Sequence, residues 1–241
     1  MSESLIDRRN MLTAGVLLAA AGAAASTARA QTPAAPATAT PPGKAFSPDP
    51  KPLPFDPKTI TGLSERMLVS HHDNNYVGAV TRLKAISAQL AALDPATAPG
   101  FNLNGLKREE LLAWNYMILH ELYFSCLGAP NRPGAALARA IERDFGSDAR
   151  WRAEFSGMGK ALGGGSGWVV LNYSHRDGRL VNQWANDHTM SLAGGTPILA
   201  MDMYEHAYAI DFGSAAPRYV DAYMATTNWS AADAAFARAA A

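Results

Sequence analysis

A single cysteine, Cys126, occurs in 241 residues. One thiol closes no disulfide within a chain, so packing must hold the fold even in an oxidising compartment. Cys126 reads as a small buried apolar residue, the alternatives being a reactive thiol or a bridge to another molecule. Charge is scarce as well. Only 17% of residues are charged, and the two signs balance at 21 each. That balance implies no nucleic-acid partner and no anionic membrane surface, so any attraction of an anionic substrate must be local. Several familiar signatures are missing. His120-Glu121 is followed at position 124 by Phe124, so there is no H-E-x-x-H zinc helix. The run Gly163-Gly164-Gly165-Ser166-Gly167 precedes a predicted strand and is no dinucleotide fingerprint. Gly159-Lys160 continues to Ala161 and lacks the phosphate-loop pattern, and no G-x-S-x-G elbow is present.

The long apolar run, from about Leu12 to Ala25, is too short and alanine-rich for a good membrane span. It follows Arg8-Arg9 and ends before Ala28-Arg29-Ala30, an A-x-A cleavage site. Residues 1–30 therefore read as a signal peptide, with the arginine pair and Asn10-Met11-Leu12 pointing to the twin-arginine type rather than an ordinary secretory one. The mature chain would begin near Gln31, in the periplasm or otherwise exported, with no stable membrane anchor. Losing Arg8, Arg9 and Arg29 leaves 18 of 21 basic residues, and losing Glu3 and Asp7 leaves 19 of 21 acidic ones, so it stays near neutral.

Residues 31–58 hold most of the prolines and read as an extended or disordered lead-in. Helical patterns follow from Ser64 to about Leu93, from Lys107 to Leu127, from Gly134 to about Phe145 and from Ser147 to Leu162. The second is apolar on most faces, which implies burial. The pattern then changes. Gly167–Ser174 and Arg179–Asn186 are β-rich and flank the turn His175-Arg176-Asp177-Gly178, which makes a hairpin; Thr196–Met203 reads as a third strand. Two helical stretches close the chain. Helices first, then a small antiparallel sheet with helices, is an α+β plan. The break at Gly128–Pro133 divides an N-terminal helical hairpin domain, residues 59–130, from a C-terminal domain, residues 131–241, with a three-stranded antiparallel sheet and helices.

The six histidines are His71, His72, His120, His175, His188 and His206. His175 lies in the hairpin turn and reads as solvated. His120 stands in a very apolar helix, where a charged imidazole would be costly, so it should be neutral and bonded to something. A lone buried histidine is more often a satisfied core residue than a ligand. Several, together with Asp202 four residues before His206, shift the reading toward a metal.

These residues carry a family resemblance. Met201–Phe212, MDMYEHAYAIDF, resembles the D-x-W-E-H-A-Y segment of the iron/manganese superoxide dismutases, whose aspartate and histidine ligands fall on Asp202 and His206. Residues 119–130, LHELYFSCLGAP, resemble N-H-x-F-x-W-x-x-L, with the histidine on His120. GGGSGWVVL is similar to the G-S-G-W strand entry, in which Trp168 walls the site, and PRYVDAYMATTNW is similar to the closing segment. The resemblance runs from about Gly62 to the C-terminus. For the family's first-helix segment, H-x-x-x-H-H-x-x-Y-V-x-x-L, HHDNNYVGAVTRL allows two registers. Setting the double histidine on His71-His72 puts Met67, which cannot bind, at the ligand position. Setting the ligand on His71 aligns Val80 and Leu83 and is preferred, with His72 as the alternative.

The resemblance implies a superoxide dismutase converting superoxide to oxygen and hydrogen peroxide at one iron or manganese ion per subunit, held by His71, His120, Asp202 and His206. Three imidazoles and a carboxylate give mixed donors suited to either metal, and the sequence does not choose between them. In the family a glutamine, or in some members a histidine, bonds the metal's solvent ligand. His188, nine residues before Pro197, takes that place by spacing, the alternative being a polar loop histidine. Glu205 would reach across an interface to brace His206 of the partner subunit, which implies a homodimer or a dimer of dimers. The chain also departs from the family. Asn75-Tyr76 replace the double histidine, Ala79 the gateway tyrosine, Tyr204 a tryptophan, Ala209 a second tyrosine and Ala216 an arginine, although Arg218 is close. Two rival readings stand beside the dismutase: a metal-binding relative that turns over poorly, and a different mononuclear redox or hydrolytic enzyme, since such a shell can also hold zinc.

Overall fold

The computed structural model describes residues 41–241. The expected signal peptide, residues 1–30, and the first part of the lead-in lie outside the described residues. The rest of the lead-in is extended as expected, but it is packed. The Gly43 N–H donates to the Ala91 carbonyl at 2.9 Å, the Phe46 N–H to Ser87 Oγ at 2.6 Å and the Lys51 N–H to Tyr76 Oη at 2.8 Å. The Phe46 ring stacks on Trp114 with centroids 4.6 Å apart. Prolines stiffen such a segment and lower the entropy lost when it docks.

The first helical pattern becomes three consecutive elements: α1 (Glu65–Ser70), a π-helical turn (His71–Tyr76) and α2 (Val77–Ala92). Ser64 caps α1 by accepting the Met67 N–H at 3.1 Å, and Asp211 in turn accepts the Ser64 N–H at 2.7 Å. The wide turn has a local cause. The Asn74 side-chain amide donates to the Ser70 carbonyl at 3.1 Å, competing with the backbone ladder there. Next comes α3 (Gly100–Ser125), which packs on α2. It starts seven residues before the sequence pattern, because Pro99 sets the entry and Leu106 packs on the core despite the glycines and asparagines around it.

The C-terminal part begins with α4 (Ala135–Phe145), closed by Gly146 at φ 87, and α5 (Asp148–Leu162), capped by Ser147. The strands β1 (Trp168–Ser174), β2 (Arg179–Ala185) and β3 (Gly195–Asp202) form an antiparallel sheet in the order β2-β1-β3. Short α6 (Ala209–Phe212), then α7 (Ala216–Thr226) and α8 (Ser230–Ala239), complete the chain. Central β1 is buried from Trp168 through Asn172 because both its faces are covered, so it reads as a continuous apolar run instead of an alternation. Its register sets Trp168 opposite Asp202. No helix among the described residues is long and apolar enough to cross a membrane.

Gly167 fixes where β1 begins. Its φ is +142°, and a Cβ there would lie 2.1 Å from the Ala185 carbonyl oxygen. Gly167→Ala is therefore expected to cost about 3 kcal/mol of stability, read as a lower urea midpoint. An unchanged midpoint would show that the backbone here yields freely.

Candidate metal centre

Four side chains from separate elements converge. His71 opens the π turn, His120 lies near the end of α3, Asp202 ends β3, and His206 sits in a 3-10 turn, Glu205–Ala207. One donor atom from each lies within 4.8 Å of all the others. Three imidazole nitrogens surround one carboxylate oxygen: Asp202 Oδ2 is 3.1 Å from His71 Nε2, 3.3 Å from His120 Nε2 and 3.2 Å from His206 Nε2. His71, His120 and Asp202 are fully buried, and His206 is partly exposed.

The hydrogen bonds test whether a cation fits. His120 Nδ1 faces the Tyr116 carbonyl at 2.7 Å, and a carbonyl only accepts, so the proton is on Nδ1. His120 Nε2 is then a bare lone pair, buried without a hydrogen-bond partner. It confronts a carboxylate oxygen, also an acceptor, at 3.3 Å. Two buried acceptors at that separation repel unless a cation lies between them, and a metal ion meets that need. The other carboxylate oxygen, Oδ1, accepts the Tyr204 N–H at 2.8 Å, which fixes the plane of Asp202 and leaves Oδ2 for a ligand.

Electrostatics favour ligand-competent states. Burial lowers the pKa of His71, and Asp202 opposes this only in part. Burial, with His71 adding to it, holds His120 well below its usual value. Both imidazoles are therefore neutral at pH 7. For Asp202 burial acts to raise the pKa, but the neighbouring histidines outweigh it, and the carboxylate sits well below its ordinary range.

Trp168, His188 and Tyr204 stand around the four-donor group. Trp168 Nε1 donates to His188 Nδ1 at 2.8 Å, and the Trp168 ring stands edge-on to His120 with centroids 5.0 Å apart. Because His188 Nδ1 accepts, the neutral ring carries its proton on Nε2. Burial lowers the His188 pKa to about 4, so the ring is neutral at pH 7. Tyr204 stacks on His188 at 4.6 Å and on His206 at 5.4 Å, nearly parallel to both. Burial, aided by the Asp202 charge, pushes its hydroxyl up to about 12.

Other residues lie elsewhere. His72 points away from the cluster, its Nε2 2.8 Å from the Lys51 carbonyl and its Nδ1 2.7 Å from Asp73, so the structure brings His71 and not His72 into the group. Glu205 and Arg218 are exposed. His175 is exposed too and contacts Thr196 Oγ1 at 2.7 Å.

Tyr116 and Asn115 were not expected. Tyr116 stacks on His120 with centroids 4.3 Å apart and planes 2° apart, and lies 4.0 Å from His188. Asn115 Nδ2 donates to the His188 carbonyl at 2.6 Å, anchoring that loop to α3. The signal was there for Tyr116: it precedes His120 by four residues, which puts both on one helix face.

Comparison with known proteins follows the same outline. Residues 133–235 match the family described as iron/manganese superoxide dismutases, C-terminal domain. An iron superoxide dismutase of Cupriavidus metallidurans is 64% identical over 189 residues, covering 78% of this chain and 96% of that protein. The chain belongs to the iron/manganese superoxide dismutase family. Its relatives in the family carry both metal designations. An iron superoxide dismutase of Aquifex pyrophilus is 32% identical over 76% of this chain and 88% of that protein. A manganese superoxide dismutase of Halobacterium salinarum is 32% identical over 74% of this chain and 89% of that protein. The α+β plan, with its three-stranded antiparallel sheet, is the one expected from the sequence.

Proposed function

We infer that this chain is a superoxide dismutase, converting superoxide to oxygen and hydrogen peroxide at one iron or manganese ion. The observation that carries the reading is the bare His120 Nε2 facing Asp202 Oδ2 at the centre of three imidazoles. His71, His120, Asp202 and His206 would hold the ion. When bound, it supplies the one-electron exchange that the two half-reactions need. The protein supplies the rest. Asp202 brings one negative charge into a buried site, which lowers its net positive charge and favours the oxidised ion. Tyr204 N–H and Tyr116 C=O keep Asp202 and His120 from rotating away. His188 holds a proton on Nε2 beside the shell, with Trp168 fixing the tautomer. The buried Trp168 ring and the half-buried Tyr116 and Tyr204 rings restrict water around these groups.

We further propose that residues 1–30 direct export by the twin-arginine route to the periplasm, and that Glu205 pairs with His206 of the partner subunit in a dimer. The exposure of Glu205 and the partial exposure of His206 support the pairing. Residues 59–130 and 131–241 are proposed as the two domains between which the ligands are shared.

The test is superoxide decay. Protein loaded with iron or manganese is expected to accelerate it in proportion to metal content. Loaded protein without dismutase activity would leave the metal-binding relative as the correct reading.

A further inference from the structure

The four converging side chains and His188 do not account for Tyr116. Its ring is clamped between His120 and His188, but neither contact uses its hydroxyl. That oxygen accepts a hydrogen bond from Asn75 Nδ2 at 3.2 Å. Asn75 lies four residues after His71, so two helix positions one turn from a ligand histidine, one on each side of the hairpin, meet over the site.

We propose that the Tyr116 hydroxyl, held by Asn75, is the hydrogen-bond donor that meets a small anionic substrate at the metal centre. The inference rests on the dismutase reading and names what that substrate contacts on arrival.

The geometry assigns the direction of the donor. Asn75 gives its amide hydrogen to the phenol oxygen, so the phenol's own proton points elsewhere, and no acceptor for it is found among the described residues. An anion bound beside His120 and His188 would supply one. Ala79 and Ala209, the positions where the family carries tyrosines, have only methyl groups here. The balanced charge of the chain gives little long-range steering, so recognition of an anion falls to groups at the site itself. A fixed hydroxyl suits that task, since hydrogen bonds to charged groups are the stronger class. The rings on both sides of Tyr116 also limit its movement, so little entropy is lost when it donates.

The experiment uses the metal-loaded full chain and sodium azide as the anionic probe, followed by the change in the absorption spectrum. Tyr116→Phe removes one oxygen and keeps the stacking. It is expected to retain full metal and to bind azide about tenfold more weakly. Asn75→Ala should weaken azide binding in the same direction by a smaller factor, and the double variant should be no weaker than Tyr116→Phe alone. In turnover, KM should rise more than kcat falls. Wild-type azide affinity in Tyr116→Phe at full metal would overturn the proposal. Loss of metal in that variant would also overturn it, because the hydroxyl would then be supporting His120. Azide binding is read whether or not superoxide turns over, so an inactive wild type would defeat the functional reading and leave Tyr116 to be judged by azide alone.

Discussion

Asp202→Ala is expected to purify as a folded protein with almost no iron or manganese and no dismutase activity. Asp202 is the one anion of the cluster, and its Oδ2 lies within 3.3 Å of all three imidazole nitrogens. Without it, neutral imidazoles alone must hold a cation of charge two or three in a buried site. The affinity loss is therefore expected to exceed the tenfold to hundredfold typical of losing an outer partner. The fold should survive. Asp202 loses its contacts with His71 and His206 and the Tyr204 N–H, which together amount to about 1–3 kcal/mol. Part of that is offset because a buried charge no longer needs to be desolvated. His120→Ala should lose metal in the same way. Metal analysis of the purified variants checks this, and full metal in either one would remove that residue from the ligand set.

The second large effect is expected at His188. His188→Ala should keep its metal and lose about tenfold to hundredfold in activity, with a shifted reduction potential. The retention of metal follows from position: the His188 ring is 6.3 Å from that of His120 and contributes no atom to the four-donor group. The loss of activity follows from chemistry. His188 is a neutral ring whose tautomer is fixed by Trp168, so it presents a proton on Nε2. Removing it takes away that donor, leaves Trp168 Nε1 without its acceptor, and frees the face of Tyr116 that packs on it. Potentiometry and steady-state kinetics on equally loaded samples read the result. Unchanged kinetics and potential would place His188 outside the working site.

The four converging residues were legible mainly through the segments that resemble the family, with help from local features. His120 is an imidazole in an apolar helix, and Asp202 and His206 share a spacing that gained meaning only beside other histidines. The hairpin was legible for a different reason, a polar turn between two β-rich runs, and its strands fall within a residue of the expected bounds. What escaped depends on contacts between distant segments. The docking of residues 41–56 on α2 and α3 has no sequence period, because each hydrogen bond goes to a residue 25 or more positions away. The early start of α3 runs against helix propensity and is decided by packing. The π turn is set by Asn74 taking the Ser70 carbonyl, a competition that a hydrophobic pattern does not record. His72 in that turn contacts the Lys51 carbonyl, so the choice between His71 and His72 needed the structure. Tyr116 escaped because an aromatic residue in an apolar helix reads as core, and its place four residues before His120 gains weight only beside the stacking on His120 and the bond from Asn75.

In the function proposed, one iron or manganese ion held by His71, His120, Asp202 and His206 is the seat of superoxide dismutation. Its most direct test is to measure metal content and dismutase activity on the same samples of the protein, across preparations loaded to different extents. Activity should rise in proportion to iron or manganese and level off at one ion per chain, with zinc-loaded protein inactive. Equal activity in metal-free or zinc-loaded protein, or activity independent of iron and manganese content, would contradict it.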